Sequence, residues 1–168
     1  MKGKIILLLF FLDAFSLSAQ TNNGPWNSPL MIATSSDGTN FSNQQVFQDS
    51  SGVPSVARIS AVDLIAAFQW FPAPLHGRHW DSVAVKFSHD KGVTWGKPQA
   101  IIVAGLPGNF QRPFDPAITI TDDGKYRIYF SSGLTGLVGL TANVDTYSAL
   151  SFDGNYWTKK VLIVRDKN

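Results

Sequence analysis

Apolar and polar residues alternate along this chain in short runs that end at turn-forming residues. The runs have the length of strands, and clusters of Asp, Ser, Asn and Gly separate them. No segment shows a sustained apolar period of 3.6 residues, so the pattern predicts an all-β fold. The predicted strands are 30–34, 45–47, 54–60, 63–71, 83–87, 100–104, 116–121, 125–131, 147–150 and 160–164.

A short motif recurs three times between these strands. Each copy reads Ser-x-Asp, then Gly, then an aromatic residue three positions after that Gly, and successive Asp residues are 53 and 63 positions apart. Asp and Ser side chains accept hydrogen bonds from backbone N–H groups of a turn, and Gly permits a positive φ. The motif therefore predicts a hairpin turn whose aromatic residue packs between sheets. Its residues are Ser35, Asp37, Gly38 and Phe41, then Ser88, Asp90, Gly92, Thr94 and Trp95, then Ser151, Asp153, Gly154 and Trp157.

The order of strands and turns predicts units of four antiparallel strands. If the strands of one unit are named A to D, the chain reads C–D, then A–B–C–D twice, with the motif copies as C–D turns. The spacing of the motif is about that of one four-stranded propeller blade with a loop insertion. The sequence thus predicts a partial β-propeller of about two and a half blades.

The second motif copy resembles a family signature. Residues 88–95 match the Asp-box (BNR) consensus Ser-x-Asp-x-Gly-x-Thr-Trp at every fixed position, and the other copies resemble its shorter variant. The chain therefore resembles sialidase-like β-propellers, in particular secreted bacterial proteins of exo-α-sialidase-like type. The resemblance implies that the Asp-box residues are structural and lie on the face away from the active site. It also implies a six-bladed parent, with five blades as the alternative, of which residues 20–168 would be one part.

The first nineteen residues have the composition of an export signal. Lys2 and Lys4 precede the apolar run 5–12, and small residues follow at 16–19. The run is much shorter than the roughly 20 apolar residues that a membrane-spanning helix needs. We expect residues 1–19 to be a signal peptide and the protein to be secreted or periplasmic, and the absence of Cys favours a bacterial source.

Composition narrows the classes of partner. A net charge of +2 over 168 residues produces only a weak positive electrostatic potential, so we expect no binding to nucleic acid or to an anionic membrane. The chain has no Cys, which excludes disulfides and thiol chemistry, and all twelve acidic residues are Asp. No cofactor is expected. No metal site is expected either, since His76 and His79 lack a marked third ligand.

The loops opposite the motif turns carry the candidate chemistry. In an antiparallel blade the B–C and D–A loops share one rim, and here the loops 71–81 and 105–115 are rich in groups that bind sugars. Asp115, which opens an inner strand, is the first candidate for a catalytic carboxylate, with a turn cap before Pro116 as the alternative. Asp81 is the second, unless it only begins strand C. The candidate ligand-binding residues are Gln69, Trp70, Arg78, His79, Trp80, Gln111, Arg112 and Phe114.

Some of these residues have structural alternatives. Arg112 could form a salt bridge with a neighbouring Asp instead of binding an anion or a sugar. Trp70 could pack between blades. Either role would leave the residue in place without any contact to a ligand.

Two functions remain open. The resemblance implies a site with three Arg, an Asp acid/base and a Tyr nucleophile assisted by a Glu. Arg112 would supply one Arg, whereas the chain contains no Glu and no Tyr that matches the nucleophile. In the first, the chain is a segment of a secreted sialidase-like glycoside hydrolase that acts on glycans, and this segment is inactive by itself. The second is a non-catalytic propeller that binds carbohydrate or protein, and in both cases open blade edges would favour self-association.

Overall fold

The chain forms three sheets that follow one another in sequence order. In a computed structural model the described residues are 24–134 and 144–164, and a short 3-10 helix at Pro25–Asn27 precedes the first strand. The strands are β1 Leu30–Thr34, β2 Ser42–Gln48, β3 Ser51–Arg58, β4 Leu64–Trp70, β5 Ser82–Ser88, β6 Gln99–Ala100, β7 Ile102–Ala104, β8 Phe114–Ile120, β9 Tyr126–Gly133, β10 Val144–Ser151 and β11 Tyr156–Val164.

The sheets have the strand order expected of propeller blades. Strands β1 and β2 pair alone, β3 to β6 form the second sheet, and β8 to β11 form the third, with β7 added beside β11. The first sheet is therefore the outer half of a blade, and the next two contain complete A–B–C–D sets. The predicted all-β partial propeller is confirmed, and every predicted strand overlaps an observed one. The predicted signal peptide, 1–19, lies outside the described residues.

One strand differs from the expectation. The predicted strand 100–104 divides at Ile101, whose backbone N–H donates to the Val83 carbonyl in β5 at 2.9 Å. The next N–H, of Ile102, donates instead to the Asn155 carbonyl beside β11 at 3.0 Å. The chain thus leaves the second sheet and continues as β7, which pairs with β11 in parallel. As a result the third sheet has five strands, and one of its strand pairs is parallel.

The core lies between the second and third sheets. In β4, Ile65 and Ala67 point toward the third sheet and belong to the same buried cluster as Ile128 and Trp157. The intervening Phe68 points the other way, where its ring meets that of Phe47 in β2 at 5.5 Å. Because both faces of β4 are covered, its sequence is a nearly continuous apolar run instead of an alternating one.

The motif turns are stabilised by their own side chains. In the second turn the Thr94 hydroxyl donates to Asp90 Oδ2 at 2.6 Å, the Thr94 N–H donates to Oδ1 at 2.8 Å, and Gly92 N–H donates to Ser88 Oγ at 2.8 Å. Gly92 has a φ of 87°, as the turn requires. The hydrogen bonds from Thr94, followed by that from Ser88, lower the pKa of Asp90 from 3.8 to about 2.

The aromatic residues of the three motifs do not share one environment. Trp157 is fully buried, and Trp95 is half-buried against Phe47, with ring centroids 5.1 Å apart. The side chain of Phe41 is 67% exposed, so the expectation that it packs between sheets is wrong. Trp95 and Trp157 each pack toward the preceding sheet, and the described residues contain no sheet before β1 that could cover Phe41.

The strand directions place the loops on two opposite edges. Trp70 at the end of β4 pairs with Ser82 at the start of β5, and β3 and β8 also begin at this edge. The three motif turns lie at the other edge. In the described part of the chain, no helix is long and apolar enough to cross a membrane.

Candidate functional site

A cavity of about 570 Å³ opens at the edge that carries the B–C and D–A loops. It brings together seven of the residues that the sequence singles out, namely Gln69, Trp80, Asp81, Gln111, Arg112, Phe114 and Asp115. Other lining residues carry no sequence prediction as ligand contacts, and these are Pro25, Val53, Phe71, His76 and Gly77. The two loops converge on one concave surface, which is where propellers commonly bind ligands.

Asp115 lies on a bulge at the start of an inner strand. The pairing of β8 with β9 shifts register between Phe114 and Ala117, and Asp115 has a φ of 51°. Val53 holds the equivalent position in the second sheet, with a φ of 50° and a register shift between Gly52 and Ser55. The backbone of the blade therefore imposes this conformation, and only the third sheet presents a carboxylate there.

Backbone strain is concentrated around the cavity. Seven non-glycine residues have positive φ in the described ranges, and four of them line this one cavity: Val53, His76, Asp81 and Asp115. Each such residue costs roughly 1–3 kcal/mol, and this kind of strain clusters at binding and catalytic sites. The cost is highest for the β-branched Val53, whereas Asp and His enter the left-handed region more readily.

A buried amide holds the carboxylate of Asp81. Gln69 is only 4% exposed, and its Nε2 donates to Asp81 Oδ1 at 2.6 Å. Gln69 Oε1 is buried without a hydrogen-bond partner among the described residues. An unpaired buried acceptor costs about 1–3 kcal/mol, so the amide is not explained by packing alone.

Arg112 connects the two loops. Its Nη1 donates to the backbone carbonyl of Trp80, and it also lies 3.4 Å from the Ser82 hydroxyl. The predicted alternative, a salt bridge between Arg112 and an Asp, does not occur in the described residues. The neighbouring Gln111 is fixed by its backbone, which accepts a hydrogen bond from the Ser132 hydroxyl at 2.7 Å. The D–A loop is thereby held against the B–C loop.

An aromatic surface forms one side of the site. The ring of Phe71 meets those of Trp26 and Trp80 edge to face, with centroids 6.0 and 5.5 Å apart, and His76 lies 5.9 Å from Trp80. Apolar walls with a few converging polar groups are typical of small-ligand sites. Phe71 lies within the loop 71–81, which the sequence marks as a candidate for binding sugars. Trp26 contacts Phe71 without lining the cavity; it is remote in sequence, and no pattern marks it.

Three predicted ligand-binding residues lie outside this cavity. Arg78 and His79 line a second crevice of about 330 Å³, bounded by apolar residues such as Ile101 and Phe110. Trp70 is stacked on His79, with centroids 6.5 Å apart. Arg112 and Gln111 line both cavities. Within the described residues, no three His or Asp side chains are grouped as metal ligands.

The comparisons with known proteins identify a structural relative. No family model matches the sequence, and no curated protein matches it. Among solved structures, the chain is similar to the Hadza microbial sialidase Hz136, with a TM-score of 0.55 and 15% sequence identity. The match covers 82% of this chain and 32% of that sialidase, so the chain spans about a third of the relative's length. The likeness shows a sialidase-like fold.

Proposed function

We propose that this chain supplies one wall of the glycan-binding site of a sialidase-like glycoside hydrolase. The observation that carries the proposal is the cavity in which Asp81 and Asp115, two of its four residues with strained backbone, meet an aromatic surface. Two carboxylates at one glycosidic bond are the usual requirement for its hydrolysis. The sialidase-like fold supports the assignment at the level of the whole propeller.

Asp115 is the proposed acid/base in this site. Its carboxylic acid would donate a proton to the glycosidic oxygen while the bond from that oxygen to the anomeric carbon breaks. The resulting carboxylate would then accept a proton from the incoming water as the water oxygen bonds to the anomeric carbon, which restores the acid. Asp81, in the same cavity, is the second candidate carboxylate.

A non-catalytic glycan-binding propeller is the second candidate function. The observation that favours it is the composition of the chain, which has no Glu and so lacks one group of the site that the family resemblance implies. The aromatic surface and the hydrogen-bonding side chains of the cavity would serve recognition equally well without any bond cleavage.

Replacing Asp115 separates the two functions. The purified full chain and its Asp115→Asn variant are tested for glycan retention on an array and for release of reducing sugar from the retained glycans. The protein is used at concentrations high enough for self-association, because a single chain supplies only one wall of the site and is expected to be inactive. For a hydrolase we expect retention to persist and turnover to fall about 100-fold or more, the usual contribution of a general acid. Asp122→Asn, an exposed carboxylate in the β8–β9 turn at the opposite edge, should change neither.

The other outcomes of this assay decide against one or both functions. Retention without sugar release by the self-associated, unmodified chain would favour the non-catalytic propeller. Sugar release that is unchanged in the Asp115→Asn variant would remove Asp115 from the acid/base role. A chain that retains no glycan would overturn both proposals.

Export is a separate part of the proposal. We propose that residues 1–19 act as a signal peptide and that the propeller segment begins at residue 20. Expression of the full chain in a bacterium followed by N-terminal sequencing of the periplasmic product tests this. A product that starts at Gln20, or within a residue or two of it, supports the proposal, and retention of Met1 in the cytoplasm contradicts it.

A further inference from the structure

We propose that the cavity wall formed by Gln69 and Asp81 recognises a neutral, hydroxyl-rich sugar and discriminates against a sugar that carries a carboxylate. The inference rests on the proposed glycan-binding function and names the substrate class for it. It differs from the expectation that a sialidase-like fold alone would raise, since sialic acids are carboxylate sugars.

The charges around the cavity point in this direction. Two carboxylates, Asp81 and Asp115, line the cavity together with a single guanidinium, that of Arg112, and the imidazole of His76. One nitrogen of this guanidinium already donates to the Trp80 carbonyl. Carboxylates only accept hydrogen bonds, so they suit the hydroxyl donors of a neutral sugar. A sugar carboxylate beside them would meet like charge, which weakens binding and acts against acidic ligands.

Gln69 gives Asp81 a fixed orientation. The 2.6 Å hydrogen bond from Gln69 Nε2 engages Asp81 Oδ1, whereas Oδ2 accepts no hydrogen bond from the described residues. Asp81 itself is exposed at the cavity wall with a φ of 56°. Asp81 Oδ2 is therefore available to a ligand hydroxyl, while Oδ1 is held by the hydrogen bond from Gln69.

The buried position of Gln69 supports a positioning role over a packing role. A Leu of similar size would fill the same space without leaving an unpaired acceptor, as Gln69 Oε1 is here. The amide contributes one thing that Leu cannot, the N–H that holds Asp81. We therefore treat Gln69 as a positioning residue and Asp81 as the group that contacts the ligand.

The aromatic surface complements a neutral sugar ring. Phe71 and Trp80 lie beside the polar groups of the same cavity, with their ring centroids 5.5 Å apart. A neutral pyranose has a polar edge of hydroxyls and an apolar face of C–H groups. The cavity offers a partner to each of these, the carboxylates to the edge and, to the face, the ring of the half-buried Trp80, which packs against the buried Phe71.

The first test compares matched glycans. The purified full chain is applied to an array of neutral oligosaccharides, each paired with the same core bearing one sialic or uronic acid, and retained pairs are measured by titration calorimetry. We expect each acidic member to bind about tenfold more weakly than its neutral partner, as one like-charge contact near the surface would give. Equal or tighter binding of the acidic members would overturn this inference while leaving glycan binding intact. If neither member of any pair binds, the proposed function itself fails.

The second test asks whether Gln69 acts through Asp81. Asp81→Asn should weaken binding of the neutral glycan about tenfold and reduce the penalty on its acidic partner. Gln69→Leu should weaken neutral binding to a similar extent while its urea midpoint stays the same or rises, because an unpaired acceptor is removed. The double variant should bind no more weakly than Asp81→Asn alone.

Other results from these variants contradict the positioning role. If Gln69→Leu binds like the unmodified chain, or if the two losses add in full, Gln69 does not act through Asp81. A lower urea midpoint in Gln69→Leu would indicate a structural role instead. Asp122→Asn serves as the charge-matched control and should leave both members of each pair unchanged.

Discussion

Val53 and Asp115, at the cavity edge, have a strained backbone conformation that their side chains do not explain. Val53 and Asp115 occupy equivalent bulges, each followed by a proline, and their φ values differ by only one degree. Val53 is exposed, so no buried contact of its side chain offsets the unfavourable conformation. The strain therefore belongs to the backbone of the blade.

We expect Val53→Asn to stabilise the fold. Asn enters the left-handed region far more readily than a β-branched residue, and relief of this strain is worth about 1 kcal/mol. Urea denaturation should show a higher free energy of unfolding for the variant. Val56→Asn, on the same strand and also exposed, should lower it slightly because Asn is a weaker strand former than Val. A fall in stability for both variants would contradict the strain at Val53.

The turn carboxylates determine how the fold responds to acid. The pKa values of Asp90 and Asp123 are lowered to about 2, and those of Asp37 and Asp153 are also lowered, by hydrogen bonds that the charged form accepts. A carboxylate whose pKa is depressed by folding stabilises the fold above its usual pKa near 4. That stabilisation is lost as the pH falls through the folded-state value.

We therefore expect the free energy of unfolding to decrease between about pH 4 and about pH 2. In the Asp90→Asn variant the unfolding free energy should fall less steeply with decreasing pH. The difference in slope corresponds to the uptake of up to about one proton on unfolding. Urea denaturation at several pH values measures both slopes. Asp122→Asn should give a profile like that of the unmodified chain. A parallel profile for Asp90→Asn would show that the hydrogen bonds from Thr94 do not favour the charged form.

At the scale of elements, similar turns differ in what their aromatic residue contributes. Trp157 is fully buried, and its Nε1 donates to the Gly154 carbonyl at 3.0 Å. Phe41 follows the same turn but is largely exposed. The local sequence produces the turn in both cases, and the neighbouring sheet decides whether the aromatic ring stabilises the fold.

We expect Trp157→Ala to lower the free energy of unfolding by about 3–5 kcal/mol, the usual cost of removing a large buried aromatic side chain. Phe41→Ala, the matched change in the first turn, should stay within about 0.5 kcal/mol of the unmodified chain. Urea denaturation followed by circular dichroism compares them. If Trp157→Ala is too unstable to fold, Trp157→Phe should still be less stable than Phe41→Ala, and the reverse order would be inconsistent with the packing described.

At the scale of the whole molecule, the first sheet has apolar surface that no other described residue covers. Met31 and Val46 are cross-strand partners in β1 and β2, with exposed fractions of 40% and 54%. Neighbouring apolar side chains on an incomplete blade favour contact with another sheet. This surface is where the predicted self-association would occur.

We expect the chain to associate in a concentration-dependent way and Val46→Lys to weaken that association about tenfold or more, since a desolvated Val contact becomes a charge. Sedimentation velocity over a range of concentrations measures this. Val62→Lys, in the exposed β3–β4 turn, is the control and should associate like the unmodified chain. A chain that remains monomeric at all concentrations would rule out self-association through this sheet.

The candidate site was predictable only in part. Gln69 and Trp70 are adjacent on β4, and the sequence marks both as ligand contacts, but neighbouring strand residues point to opposite faces. Gln69 lines the main cavity, whereas Trp70 stacks on His79 outside it. Trp26 joins the aromatic surface through a contact with Phe71 that spans 45 positions of sequence, and no local pattern reveals such a contact.

The turns, the blade order and the strands, apart from the division of 100–104 at Ile101, could be predicted from the sequence alone. Those features depend on alternation of apolar residues and on Ser, Asp and Gly at fixed spacing within each turn, which are local interactions. The tertiary structure alone decided that β7 leaves its blade, that Phe41 is exposed while Trp157 is buried, and that Gln69 holds Asp81. These features depend on which sheets are neighbours. Packing between sheets brings together residues that are far apart in sequence, and no local sequence pattern indicates such contacts.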